Sequence, residues 1–468
     1  MSAVLAGPGE SFPLRRGAAP VVLEHDGFLH PASPRGRGHA RSRYADLTHV
    51  LATPRALWVG TRRSVYPLAR SLFVDPAGPE RLGEALLARV AREPGGPERL
   101  ARMRELDRLA QEERRPLASW TLAAACALVF ALQLSLGPEL FEVGYFSPAL
   151  VADGDLWRTF TAGLLHGFPM HLAVNLVGLL LVGRLAERAL GTPRLLCVMG
   201  AAELGSMAAS ALADEGGVVG VSGVVFGLAG ALLQVELRRS AELPANWRFP
   251  RLALVAVILG ILADAALGFA IPFIAGEAHL GGFAAGFATA AMLTRAAPLY
   301  AAAGPASRAA ATVVTLLSLL SVGAAAAALL LTDDFRAQHA ARIAELPGIS
   351  PQELNNHAWL IAIDPDSTQA QLEAALLLAE RAVVETEQGD PTLLDTLAEV
   401  QFQLGRSDLA VLIIDEAIAR APQEPYYREQ RRRFTGERQP DDRPPDPMLP
   451  WREEGMPPLP PDSEGVTV

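Results

Sequence analysis

Between residues 116 and 332 the chain carries seven apolar runs, at about 117–136, 170–190, 194–213, 222–238, 251–270, 278–296 and 309–332. A bilayer core about 30 Å thick takes roughly 20 helical residues to cross. Backbone amides have no water to bond there, so such runs must close their hydrogen bonds internally as helices. The expected fold class is therefore mainly α, a polytopic membrane protein. Composition agrees: half of the residues are hydrophobic and the mean hydropathy is +0.22, high for a soluble protein.

Loop charges orient the spans. Arginines crowd before the first run (Arg108, Arg114, Arg115), and recur between the second and third (Arg188, Arg194). They recur again between the fourth and fifth (Arg238, Arg239, Arg248, Arg251) and the sixth and seventh (Arg295, Arg308). The alternate loops "ADEGGVVG" and "GFAIPFIAGEA" hold no basic residue and belong outside by the positive-inside rule. The opening residues lack an apolar core long enough for a signal peptide, so a cytoplasmic amino terminus is expected. Seven spans then leave everything after 333 extracytoplasmic, and the bacterial inner membrane is the expected location. A net charge of −10 argues against a nucleic-acid partner. Cys126 and Cys197 fall in spans and read as small buried residues, not as a disulfide framework.

Soluble segments flank the spans. Residues 1–95 contain short Val-, Leu-, Tyr- and Phe-rich runs between Gly and Pro turns, then a periodic helix beginning at Pro79. Strands followed by one helix resemble a pleckstrin-homology-like domain; an unrelated small α+β domain fits the same pattern. Residues 96–115 are expected as a linker helix leading into a membrane domain over 116–332. Residues 333–434 are expected as helical repeats. "PTLLDTLAEVQFQLGRSDLAVLIIDEAIARAP" resembles a tetratricopeptide repeat, with Leu394, Leu397, Ala398, Ala410, Ala417 and Pro422 at the matching spacing. A looser copy puts Ala358, Ala375 and Ala382 at the positions of Ala398, Ala410 and Ala417. Two repeats are few for a stable array, so flanking helices or a protein partner are expected to support them. The Pro-rich, acidic segment 435–468 reads as a disordered tail.

Polar side chains inside spans are functional candidates, because hydrocarbon penalises them. Three of the nine histidines lie in the membrane region: His166, His171 and His279. Asn175 follows His171 by one helical turn, so the two share a face. Ser222 opens the fourth span and His279 the sixth, at the same, outer depth. A serine hydroxyl needs a base. The chain has no lysine, which removes a serine–lysine dyad and leaves histidine. Gly223, Gly227 and Gly230 follow Ser222, while Gly282 and Gly286 follow His279 on its own face. Small residues let helices approach closely enough to bring imidazole and hydroxyl together. His171, Asn175 and the Ser222 amide are then candidate donors to a tetrahedral oxyanion. Glu203 and Asp264 also fall inside spans, where helix–helix hydrogen bonds are expected of them rather than a proton path.

The motifs resemble those of the rhomboid intramembrane serine proteases. Trp157–Arg158 in "LWRTFTAGLLH" is similar to the pair in that family's first external loop. His171 and Asn175 fit H-x-x-x-N. Glu187, Arg188 and Gly191 fit the E-R-x-x-G turn, "GVSG" from Gly220 fits G-x-S-G, and "AHLGGFAAG" fits the motif around the catalytic histidine. The resemblance covers about 116–296, a six-helix core, and leaves the seventh span and both soluble regions outside. It implies Ser222 as nucleophile, His279 as general base, and His171, Asn175 and the Ser222 amide as the oxyanion hole. It also implies Phe226 as an aromatic packed on the imidazole. His166 is expected to be structural, Trp157 and Arg158 to be loop anchors at the interface, and Glu187 to be a helix-end hydrogen-bonding residue.

The function expected is an intramembrane serine endopeptidase acting on transmembrane segments of membrane proteins in the bilayer, through an acyl-enzyme. No cofactor or metal is expected, since no His/Cys/Asp cluster has ligand spacing. The rival reading is a non-catalytic membrane adaptor binding transmembrane clients. A transporter using Glu203 and Asp264 leaves the motif order unexplained.

Overall fold

The computed structural model describes residues 9–249 and 275–444, apart from 16, 33–37, 113, 214–216, 296–297, 300 and 387–388. Between those blocks it describes only 255, 258–260 and 263. The expected fifth span at 251–270, with Asp264, therefore lies almost wholly outside the described residues. Contacts divide the chain into two compact units. One comprises Met1–Ala125, Val174–Ser210 and Val221–Leu316; the other Cys126–Ala173, Ala211–Gly220 and Leu317–Val468.

In the first unit the amino-terminal segment forms two antiparallel meanders. Strands β1 (Ser11–Phe12), β2 (Val21–Leu23), β3 (Gly27–Pro31) and β4 (His39–Arg43) pair in sequence order. So do β5 (Leu47–Ala52), β6 (Ala56–Thr61) and β7 (Val65–Ala69). Helix α1 (Gly78–Arg92) starts with proline in its first turn and presents Leu82, Leu86 and Val90, four residues apart and fully buried. Phe12, Val21, Leu23, Phe28, Leu57 and Val59 meet that stripe in one core.

Helix α2 (Gly96–Gln111) lies in the segment expected as a linker helix; it buries Met103, Leu106 and Leu109, and Met103 belongs to the same core. The apolar positions within "LARMRELDRLA" give it a face to bury, so it packs on the sheet instead of bridging freely. The β-sheet domain also holds the loop that follows the fourth span. His49, fully buried, accepts the Ala245 N–H at Nδ1 (2.9 Å) and therefore donates from Nε2 to Asp107 (3.0 Å). Arg248 donates to Thr48 Oγ1 at 3.1 Å.

Among the described residues four helices are long and apolar enough to cross a membrane: α3 (Leu117–Leu136), α4 (Pro169–Leu190), α5 (Thr192–Leu212) and, later in the chain, Pro305–Leu331. Two of the seven expected spans form shorter helices of 18 residues, α6 (Ser222–Arg239) and α7 (Gly276–Leu293). Glycines and the charged end of α6 lower their hydropathy below that of the four. Helix α8 (Pro305–Leu331) leaves Leu316, Leu317, Leu319, Leu320, Leu330 and Leu331 exposed. Such a continuous apolar surface suits lipid and not water. The chain is an integral membrane protein.

The second unit contains the α3–α4 loop and six helices after α8: α9 (Phe335–Glu345), α10 (Pro351–Ala362), α11 (Gln369–Glu385), α12 (Pro391–Gln403), α13 (Ser407–Arg420) and α14 (Pro425–Phe434). Ser350, Thr368, Asp390 and Glu424 cap helix starts with their side chains, Thr368 in a full capping box with Gln371. Ala358, Ala375, Ala382, Ala398, Ala410 and Ala417 are all fully buried, so the helices approach along alanine seams. Residues 435–444, expected within the tail, pack back on these helices. Arg443 donates to the buried Glu399 (3.0 Å) and its guanidinium lies over Trp359. The remainder of the tail lies outside the described residues.

The core of the six helices also takes in Tyr145, Leu150 and Leu165 from the α3–α4 loop. Arg336, buried, donates to Glu142 (3.1 Å), and Arg342 donates to Asp155 (3.1 Å) and to Asp153. His339 is buried beside these groups, stacked on Phe335 with ring centroids 5.0 Å apart. Burial, helped by the charge of Arg158, holds its pKa well below the ordinary value near 6.5. Below pH 6.5 the unfolded chain therefore gains a proton that folded His339 refuses, and stability falls as pH falls. Replacing His339 with leucine should flatten the fall in unfolding free energy from pH 6.5 to 4.5. The change, up to about 1.4 kcal/mol per pH unit, would be read from denaturant titrations at each pH.

Candidate active site

Ser222 is the first residue of α6. Val221 holds the N-cap position and no side chain caps this helix, so the Ser222 hydroxyl has no capping duty. It lies 2.8 Å from Nε2 of His279, one turn into α7 and 9% exposed. With Nε2 accepting from the hydroxyl, the ring proton sits on Nδ1. Phe226, one turn after Ser222, lies flat on the imidazole, ring centroids 4.4 Å apart and planes 8° apart. Helix α6 thus supplies the hydroxyl and the aromatic plate, and α7 the imidazole between them.

This approach depends on missing side chains. A Cβ added to Gly282 would sit 2.2 Å from the carbonyl oxygen of Gly223, and one on Gly286 would sit 2.1 Å from that of Gly227. One on Gly230 would meet the Phe283 carbonyl at 2.3 Å. Those distances are far inside van der Waals contact, so α6 and α7 touch backbone to backbone. Helix α5 closes a third side: a Cβ on Gly223 would meet Ser206 Oγ at 2.2 Å, and one on Gly227 the Ala202 methyl at 2.2 Å. Gly281 faces the Gly205 carbonyl in the same way, at 2.3 Å. The α5 residues Ala202, Gly205 and Ser206 were missed in the sequence, although "AAELGSMAAS" spaces small residues at four.

The turn before Ser222 has its own constraint. Gly220 has φ +111°, a conformation other residues resist, and its N–H donates to the Ala162 carbonyl at 2.9 Å. On α4, Asn175 is buried and follows His171 by one turn. His171 packs against His166 with centroids 5.1 Å apart, and against Phe168 at 5.6 Å. Buried His166 forms a reciprocal pair with Gln133: its N–H donates to Oε1 (3.2 Å) and its carbonyl accepts from Nε2 (3.1 Å). Burial lowers its pKa to about 4, so the ring is neutral at physiological pH. Among the described residues no group of three or more His, Cys, Asp or Glu is placed to hold a metal ion.

Residues 153–296 match the family model described as "Rhomboid domain". Over 156 residues the chain is 35% identical to "RHOMBOID-like protein 5" of Arabidopsis thaliana, covering 32% of this chain and 48% of that protein. It is 32% identical over 176 residues to "Rhomboid protease GluP" of Bacillus subtilis (strain 168), covering 37% of this chain and 34% of that one. A third relative, "RHOMBOID-like protein 1" of Arabidopsis thaliana, is 34% identical over 160 residues, 32% of this chain and 39% of the relative. Over this region the chain is similar to rhomboid proteins. The chain spans about half the length, or less, of each of these relatives. The rhomboid match stops short of the β-sheet domain and of α8–α14.

Within and beside the rhomboid region, three further motif residues have clear physical work. Glu187, buried near the end of α4, accepts the Ala118 N–H (3.0 Å), the Ser119 N–H (3.1 Å), the Ser119 hydroxyl (2.9 Å) and the Thr192 hydroxyl (2.7 Å). It caps the amino terminus of α3 from another helix, satisfying N–H groups that have no partner within α3. Arg158 was expected as a loop anchor at the interface. It is fully buried and donates to Asp155 (2.9 Å) and to the carbonyls of Glu142 (2.8 Å) and Tyr145 (3.1 Å). Its neighbour Trp157 donates from the indole to the Val143 carbonyl at 2.9 Å. Both side chains tie the α3–α4 loop to itself. Glu203, on α5, is buried and has no evident chemical task.

The backbone contact of α6 and α7 gives a direct test. Gly286→Ala should lower the unfolding free energy by about 1–3 kcal/mol, measured by titrating SDS into mixed micelles. Gly323→Ala on α8, whose new methyl would meet nothing within 4 Å, should leave the curve within about 0.5 kcal/mol of wild type.

Proposed function

We propose that this chain is an intramembrane serine endopeptidase that cleaves transmembrane segments of membrane proteins, with Ser222 as nucleophile and His279 as general base. The observation that carries the reading is the 2.8 Å approach of His279 Nε2 to Ser222 Oγ under the Phe226 ring. In the proposed reaction Nε2 takes the hydroxyl proton as Oγ attacks a backbone carbonyl carbon of an unwound substrate helix. The carbonyl oxygen becomes an oxyanion. At the first position of α6 the Ser222 N–H has no acceptor within its helix, which suits it to that charge. Asn175, and His171 one turn before it, are proposed as the further donors. Collapse of the intermediate breaks the C–N bond as His279 returns the proton to the leaving amine. The ester on Ser222 is then hydrolysed by water activated at the same imidazole.

The proposed orientation is a cytoplasmic amino terminus and an external segment after 333. Two pairs of contacts support it. The β-sheet domain holds the arginine-rich 240–248 loop, and the six-helix region after α8 holds the α3–α4 loop. Each pair joins segments that the charge pattern assigns to one side. The six-helix region is proposed as a protein-binding, tetratricopeptide-like module, and the β-sheet domain as pleckstrin-homology-like.

A client-binding adaptor without catalysis has no use for a hydroxyl and an imidazole held at hydrogen-bond distance. Reconstituted wild-type protein should cut a single-span model substrate. Ser222→Ala and His279→Ala should each lower the rate by at least about 10³-fold, followed by gel or mass spectrometry. A fluorophosphonate probe should label wild type and spare Ser222→Ala. Cleavage by either mutant at the wild-type rate would sink the dyad.

A further inference from the structure

The residues just before the nucleophile rest on a tyrosine whose hydroxyl is held by the carboxy-terminal helices. Tyr145, in the α3–α4 loop, is 2% exposed. Its hydroxyl donates to Glu353 Oε1 on α10 at 2.9 Å. His357, one turn further along α10, lies 2.9 Å from the Tyr145 hydroxyl oxygen through Nε2. The phenol has one proton, given to Glu353, so His357 donates to it. Arg158 places its guanidinium 5.0 Å from the ring centre and bonds the Tyr145 carbonyl at 3.1 Å.

On its other side the ring supports the segment leading to Ser222. A Cβ on Gly217 would lie 2.7 Å from the Tyr145 ring, so only glycine fits there. Phe146, the next residue, exchanges both backbone hydrogen bonds with Val218, at 3.0 and 2.9 Å. Two residues later comes Gly220, bonded to Ala162, and two residues after that comes Ser222.

We propose that the carboxy-terminal helical region sets the position of the nucleophile's turn, with Tyr145 as positioning residue and Glu353 and His357 as its holders. The inference rests on the proteolytic reading for its kinetic consequence but not for its geometry. A change at α10, such as a partner binding to that region, would then be transmitted to Ser222 through Tyr145 and the 217–220 segment. The rhomboid match does not extend to α10, so this control belongs to the additional part of the chain.

The test uses the full-length protein in proteoliposomes, with Tyr145→Phe, Glu353→Ala, Glu353→Gln and Arg431→Ala. Arg431 pairs with exposed Asp415 on the same helical region and serves as control. Tyr145→Phe and Glu353→Ala should each slow fluorophosphonate labelling of Ser222 and lower kcat by about three- to tenfold, with KM little changed. Glu353→Gln keeps an oxygen acceptor for the phenol and should restore both. Hydrogen exchange of peptides covering 217–222 should quicken in the two impaired variants and stay unchanged in Arg431→Ala. Lowered thermal stability with labelling and exchange at wild-type values would make Tyr145 merely structural and overturn the proposal. If wild type itself neither labels nor cleaves, the proteolytic reading fails. The exchange comparison then decides the positioning role alone: faster exchange upholds it and equal exchange refutes it.

Discussion

Backbone contact between α6 and α7 is the constraint on which the site depends. An imidazole has short reach, and two ordinary helices with side chains between them pack 8–10 Å apart. At Gly223–Gly282 and Gly227–Gly286 no side chain intervenes. That brings the helix axes close enough for a residue near the start of each to share a hydrogen bond. In lipid there is little hydrophobic force to press helices together, so shape and dispersion must do it. The glycines are therefore more than permissive: they replace the driving force that a water-soluble enzyme would draw from burial.

Much of this was readable. Ser222 and His279 could be paired because each opens an apolar run at one depth, followed by glycines on the facing side. Phe226 follows Ser222 by one turn, and its place beside the imidazole was implied by the resemblance to the rhomboid proteases. Other features are fixed by partners far away in sequence. Glu187 was recognisable as a helix-end hydrogen-bonding residue, yet nothing local shows that it caps α3, 68 residues upstream. Arg158 was expected as a loop anchor, but only the folded loop shows its three inward acceptors. The α5 face escaped notice because small residues within a span are common and gain meaning only against a known neighbour.

The β-sheet domain and the helices after α8 differ in how they meet the rest of the chain. The β-sheet domain holds its loop through a few directed bonds at His49 and Thr48, one imidazole serving two partners at once. The helices after α8 share a core with theirs, with Tyr145, Leu150 and Leu165 buried among residues from 340 to 434. Directed bonds of the first kind can exchange with water at modest cost. A shared core cannot open without exposing apolar surface.

That shared core also governs when the molecule can be finished. Tyr145 and Glu353 are 208 residues apart, and at ribosomal speed that separation takes roughly 10–40 s to synthesise. Throughout that interval the α3–α4 loop exists without the helices that bury it, while the last apolar span has yet to enter the membrane. The turn before Ser222 is complete in sequence long before it is braced. By this geometry the site matures last, after the chain's final helices have emerged and folded back on a loop made near the beginning.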